Sequence, residues 1–108
     1  MLNADRAAVQ VIDRVLNRHG IRIEQIFLFG SRARGEARPD SDWDLYVLID
    51  GDLSFPQRHQ LITEIKRELA RLGIPNDVIL RSARQFHQTK EYPGHLAYDV
   101  AREGVPML

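Results

Sequence analysis

The chain contains no cysteine, which excludes disulfides, thiolate–zinc centres and a cysteine nucleophile, and removes any pointer to an oxidising compartment. It also lacks net charge, because fifteen basic and fifteen acidic side chains cancel. The whole-molecule field therefore gives no reason to expect nucleic acid as the main partner. No apolar run approaches the ~20 residues that span a bilayer, and the opening MLNADRAAVQ is too polar for a signal peptide. A cytoplasmic location away from membranes is the expectation. Repeats, low-complexity stretches and linkers are missing too. What is present is 108 residues, 44% of them apolar, which suits one compact domain over residues 1–108, since chains of this length bury roughly two-thirds of their unfolded surface.

The apolar residues of the opening segment follow a helical period. Ala8, Ile12, Val15 and Leu16 share one face with His19, and Gly20 is placed to end a helix over residues 4–19. EQIFLF at 24–29, stopped by Gly30 and Ser31, reads as a buried strand. A short helix is expected over 31–35. WDLYVLID at 43–50 is rich in β-branched and aromatic residues and apolar on both faces, as an internal strand is. Ser54 and Gln57 have capping-box spacing, and Leu61, Ile62, Ile65, Leu69 and Leu72 then form a stripe that ends at Gly73, so a crossover helix is expected. NDVILR at 76–81 reads as a third strand, 82–89 and 94–103 as helices, and the final VPML as an edge strand. This order implies an α/β (α+β) fold in which a small mixed sheet packs with helices.

The crossover helix favours a parallel, right-handed connection between the second and third strands. Their starting ends then share one edge. Asp42 and Asp44 are two apart at the entrance to the second strand, so their side chains share a face, and Asp77 stands at the entrance to the third. Three converging carboxylates repel one another unless a cation neutralises them or some take up protons. Oxygen ligands with no cysteine or histidine beside them suit Mg²⁺ or Mn²⁺ better than zinc. If the first strand runs antiparallel to the second, Gly30 and Ser31 reach the same edge. Gly30 then lets backbone approach a triphosphate, and Ser31 and the N–H groups of the short helix can bind its oxygens. Arg32 or Arg34 can add charge-assisted bonds.

Gly30-Ser31, ten intervening residues and then Asp42-Trp43-Asp44 resemble the signature of the nucleotidyltransferases related to polymerase beta. Asp77 in NDVIL resembles their third carboxylate. The likeness in residue type and order covers 20–81, and the tail YDVAREGVPML is similar to that of the small prokaryotic members, the minimal nucleotidyltransferases. The resemblance implies the nucleotidyltransferase fold, with Asp42 and Asp44 binding two Mg²⁺ ions and Asp77 helping to hold the ion at the attacking hydroxyl. Gly30 and Ser31, with Arg32 beside them, take the triphosphate. In-line attack at the α-phosphorus builds charge on the entering and leaving oxygens, which two ions ~3.5–4 Å apart stabilise together.

Stand-alone members of this kind are often antitoxins paired with a HEPN-type toxin, so the resemblance implies ATP as substrate, AMP as the transferred group and a hydroxyl of that partner protein as acceptor. Two alternatives stand beside it. One is transfer to a small molecule such as an aminoglycoside, and the other is a non-catalytic module that masks its partner.

The remaining polar and aromatic residues have plainer readings. His19, His59, His87 and His95 are scattered without metal-ligand spacing, and His19 near a helix end suits capping or dipole compensation. Trp43 and Tyr46 read as packing residues. Tyr92 and Tyr98 read as partner contacts or helix surface.

Overall fold

The structure, a computed structural model, describes residues 3–108. Met1 and Leu2, which begin the segment read as too polar for a signal peptide, lie outside the described residues.

Helix α1, Ala4–Arg18, starts at Asn3, whose side chain accepts from Arg6 N. It buries Ala7, Ala8, Val11, Ile12, Val15 and Leu16, the one face that its period marks out. Strand β1, Ile23–Phe29, leads into the single turn α2, Gly30–Ala33, and then to strand β2, Trp43–Ile49. The long helix α3, Phe55–Arg71, begins with a capping box in which Ser54 and Gln57 each satisfy the other's backbone N–H. It crosses to strand β3, Asn76–Ser82, and helices α4, Ala83–Thr89, and α5, Leu96–Glu103, precede the two-residue strand β4, Val105–Pro106.

The sheet order is β3-β2-β1-β4. β1 is antiparallel to β2, β3 is parallel to β2, and β4 is antiparallel to β1. This is the mixed sheet that the crossover helix demands. β2 lies inside it and is buried from Leu45 to Ile49. β1, expected to be buried, is so only at Ile26 and half-buried over most of the rest. The cause is its outer neighbour: β4 pairs only with Phe27 and Leu28.

Strand alternation divides the apolar side chains between two unequal layers. Leu45, Val47, Ile49, Val78 and Leu80 join α1 and α3 in the main core. Tyr46 and Leu48 point the other way, into a small cluster with Phe86, Ala97 and Val100 of α4 and α5. Three rings order that second layer: Phe86 lies 5.8 Å from Phe27 and 5.7 Å from Tyr46, centroid to centroid. The seam between α1 and α3 is tied by charge. Arg14 and Arg18 bind the two oxygens of Glu68 at 3.0 and 2.7 Å, and His19, the C-cap residue of α1, also makes a tertiary contact, its Nε2 lying 2.7 Å from Glu64 Oε2.

Among the described residues no helix is long and apolar enough to cross a membrane.

Candidate active site

The strand register sets the site. Phe29 at the end of β1 pairs with Asp44, and Asp44 pairs with Asp77 across the parallel ladder. Three neighbouring strands thus bring Gly30, Asp44 and Asp77 into one row at one edge of the sheet. Asp42 precedes β2 and is two residues from Asp44, so alternation keeps both on one side. That side is the α4/α5 face, because Tyr46 next along from Asp44, and Ile79 next along from Asp77, both belong to the smaller cluster.

Gly30 is held with φ +73, in the left-handed region that disfavours side chains. Its neighbour forbids one as well. A Cβ on Gly30 would overlap Oδ2 of Asp44 and lie 3.0 Å from its Cγ. The bare glycine backbone therefore forms a wall against which the Asp44 carboxylate lies. Ser31, half-buried, follows in α2, whose first N–H groups have no acceptor within the helix.

Asp44 carries the electrostatic strain of the site. Burial pushes its carboxyl above the ordinary value, the negative charges of Asp77 and Asp42 push it further, and the positive charge of Arg34 pulls it partly back. Each of the first three causes disfavours a carboxylate without a counterion. Asp42 and Asp77 are both exposed. Among the described residues no three histidine, aspartate or glutamate side chains are gathered tightly enough to hold a metal ion as they stand. The donor chemistry fits a hard divalent cation all the same, since the row is purely carboxylate and a cation there would relieve the crowding felt by Asp44.

The two candidate arginines separate. Arg32 is occupied: its Nη2 donates to the carbonyls of Ser41, Arg38 and Pro39 at 2.8, 3.3 and 3.4 Å, and Nε donates to Ser41 O at 3.2 Å. Its guanidinium also lies 4.4 Å above the Trp43 ring, which packs against the main core on the face opposite Asp44. Arg32 thus clamps the loop that delivers Asp42. Arg34 is exposed, pairs with Glu36 at 3.3 Å, and is the arginine whose charge reaches Asp44. Nothing in residue spacing distinguishes the two; only the folded path of residues 38–41 does.

A cleft of about 430 Å³ lies on the same face of the sheet, further along β2 and β3 from the carboxylates. Tyr46, Ile79 and Arg81 form its floor and residues of α4 and α5 its far wall.

This is the sheet and the carboxylate edge of a nucleotidyltransferase, and comparison with known proteins agrees. The family model described as polymerase beta, nucleotidyltransferase matches residues 10–107, and the chain belongs to that family. It is a nucleotidyltransferase. A protein of Methanocaldococcus jannaschii, described as a candidate protein adenylyltransferase, is 30% identical over 87% of this chain and 89% of its own length. The solved structure of a candidate minimal nucleotidyltransferase is 30% identical, with a TM-score of 0.56 over 94% of this chain and 90% of that one. The crystal structure of a toxin–antitoxin with AMP-PNP shares the fold at a TM-score of 0.62 and 21% identity, covering 99% of this chain and 73% of that one.

Proposed function

We propose that this chain, one domain over residues 1–108, is a cytoplasmic Mg²⁺-dependent enzyme that transfers AMP from ATP to a hydroxyl of a partner protein, a HEPN-type toxin. The observation that carries this reading is the row of Gly30, Asp44 and Asp77 across three paired strands. The M. jannaschii relative described as a candidate protein adenylyltransferase supports the acceptor class, and the toxin–antitoxin with AMP-PNP supports the nucleotide and a toxin as the kind of partner.

Asp42, Asp44 and Asp77 hold the metal, Mg²⁺ or Mn²⁺, which when bound neutralises charge on the entering and leaving oxygens. The triphosphate lies along the bare backbone of Gly30 and the hydroxyl of Ser31, with Arg34 adding positive charge from the exposed side. Arg32 acts one step back, fixing the loop from Arg38 to Ser41 so that Asp42 arrives in place. Asp44 is fixed by its strand and by the glycine wall, and fixed geometry of this kind supplies much of the rate in a displacement at phosphorus.

The test is incubation of the chain with ATP, Mg²⁺ and a co-expressed HEPN-type partner, followed by intact-mass measurement. The partner gains the mass of AMP, and Asp42→Asn or Asp77→Asn abolishes the gain. Transfer to a small molecule or an RNA end without labelling of the partner would overturn the reading.

A further inference from the structure

Gly30 and Ser31 lie on the β1 side of Asp44, and Asp77 lies on the β3 side. If the triphosphate occupies the β1 side, in-line geometry requires the attacking oxygen to enter from the β3 side. The cleft of about 430 Å³ is on that side, in the size range of sites that enclose a ligand. Its lining residues Ile79 and Arg81 follow Asp77 on the same strand face, about 7 and 13 Å further along at ~3.3 Å per residue.

The lining describes the occupant. Arg81 is half-buried, and its Nη1 donates only to the carbonyl of Leu80, at 2.9 Å. Among the described residues it forms no ion pair, unlike Arg14, Arg18, Arg34 and Arg84. A guanidinium held in a cleft without a counterion favours a carboxylate brought by a ligand. Around it Gln85 and Thr89 offer amide and hydroxyl groups, and Ile79 and Leu96 offer apolar contact. One cation with this mixed surface is a poor match for a phosphate backbone, which is bound through several cations. β3 is also one of the two edge strands of the sheet, and an edge strand can pair with an extended peptide.

We propose that this cleft receives an extended segment of the acceptor protein, with an acidic residue near the modified hydroxyl paired to Arg81. The inference rests on the transfer reading above. In the reaction the acceptor oxygen bonds to the α-phosphorus. The bond from that phosphorus to the bridging oxygen breaks, and pyrophosphate leaves with the electron pair. The hydroxyl proton passes to water at the exposed edge beside Asp77.

Two synthetic peptides with a single tyrosine test it, one flanked by glutamates and one by lysines. Binding is read by fluorescence anisotropy with AMP-PNP and Mg²⁺, and transfer by peptide mass with ATP and Mg²⁺. The acidic peptide binds, and reacts with a kcat/KM at least tenfold above that of the basic one. Arg81→Glu reverses the preference, Arg81→Lys keeps it, and neither changes affinity for AMP-PNP. Gln85→Lys on the cleft wall strengthens acidic-peptide binding, which covers the case in which Arg81→Glu fails to fold. Acidic-peptide binding that depends on Arg81 without AMP transfer upholds the cleft and sinks the transfer reading. Transfer with no charge preference, or with a preference that survives Arg81→Glu, upholds the transfer reading and overturns the cleft. Binding of neither peptide, or Arg81-dependent binding of a single-stranded oligonucleotide in their place, overturns it as well.

Discussion

Gly30 and Asp44 are in contact across the join of β1 and β2, with the carboxylate seated where any other residue at position 30 would carry its Cβ. Gly30→Ala therefore meets two penalties, the positive φ of 73° and the overlap with Asp44. The first alone costs about 1 kcal/mol, and the second displaces the carboxylate. Chemical denaturation should show a loss of about 1–3 kcal/mol, and steady-state assays a fall in kcat of at least tenfold, since the group moved belongs to the proposed metal site.

Asp44→Asn separates stability from chemistry. In the folded chain burial, Asp77 and Asp42 raise the pKa of Asp44, so the folded state binds this proton more readily than the unfolded state. Its contribution to stability is full below the unfolded pKa and is lost as pH rises through the folded pKa. In the presence of a chelator at pH 7 the asparagine variant should therefore melt at the same temperature as the parent or about 1–3 °C above it, the scale of a few tenths of a kcal/mol in a domain of this size. Turnover with Mg²⁺ should disappear. A variant that keeps near-normal turnover would remove Asp44 from the mechanism.

Arg32 and Arg34 should fail in different ways. Arg32→Lys loses the planar group that meets the 38–41 carbonyls and covers Trp43, and a point-charge ammonium cannot replace it. Unfolding should become easier by about 1–2 kcal/mol, with activity falling alongside. Arg34→Ala should leave the melting temperature unchanged and raise KM for ATP by about three- to tenfold, as expected for one charge-assisted contact at an exposed position.

Glu68 accepts from two arginines of α1, with its own side chain 19% exposed. Burial pushes its carboxyl up, but the hydrogen bonds and charges of Arg14 and Arg18 together outweigh burial and hold it below the ordinary value. The stability it adds is present above the unfolded pKa and lost as pH falls through the folded pKa. Glu68→Gln should thus cost about 0.5–1 kcal/mol at pH 7 and almost nothing near pH 3. Denaturant titrations at the two pH values measure the difference, while turnover stays at the parent level.

Much of the architecture is legible in the sequence because it rests on local rules. The period of Ala8, Ile12, Val15 and Leu16 marks the face of α1 that is buried, and Ser54 with Gln57 marks the start of α3. The apolar composition of 43–49 marks an internal strand. Placement of Asp42, Asp44 and Asp77 at one edge follows from strand alternation and a crossover of helical length. Other features depend on contacts between distant segments. The hold of Arg32 on the loop from Arg38 to Ser41 exists only once that loop folds back over it. The half-burial of β1 depends on the two-residue length of β4. The cleft forms only when α4 and α5 settle against the far face of the sheet, leaving Ile79 and Arg81 uncovered.

The inequality of the two apolar layers gives the molecule a stiff half and a compliant half. Opening the side beneath α1 and α3 would expose most of the buried aliphatic residues, so it is close in cost to global unfolding. Lifting α4 and α5 would expose little more than Phe86, Ala97 and Val100 with the strand residues beneath them, and such thinly packed elements open as separate low-energy units. Amide hydrogens of α4 and α5 should then exchange with solvent sooner than those of β2. The carboxylates thus stand on the rigid frame, while the wall facing the proposed polypeptide can yield to its shape.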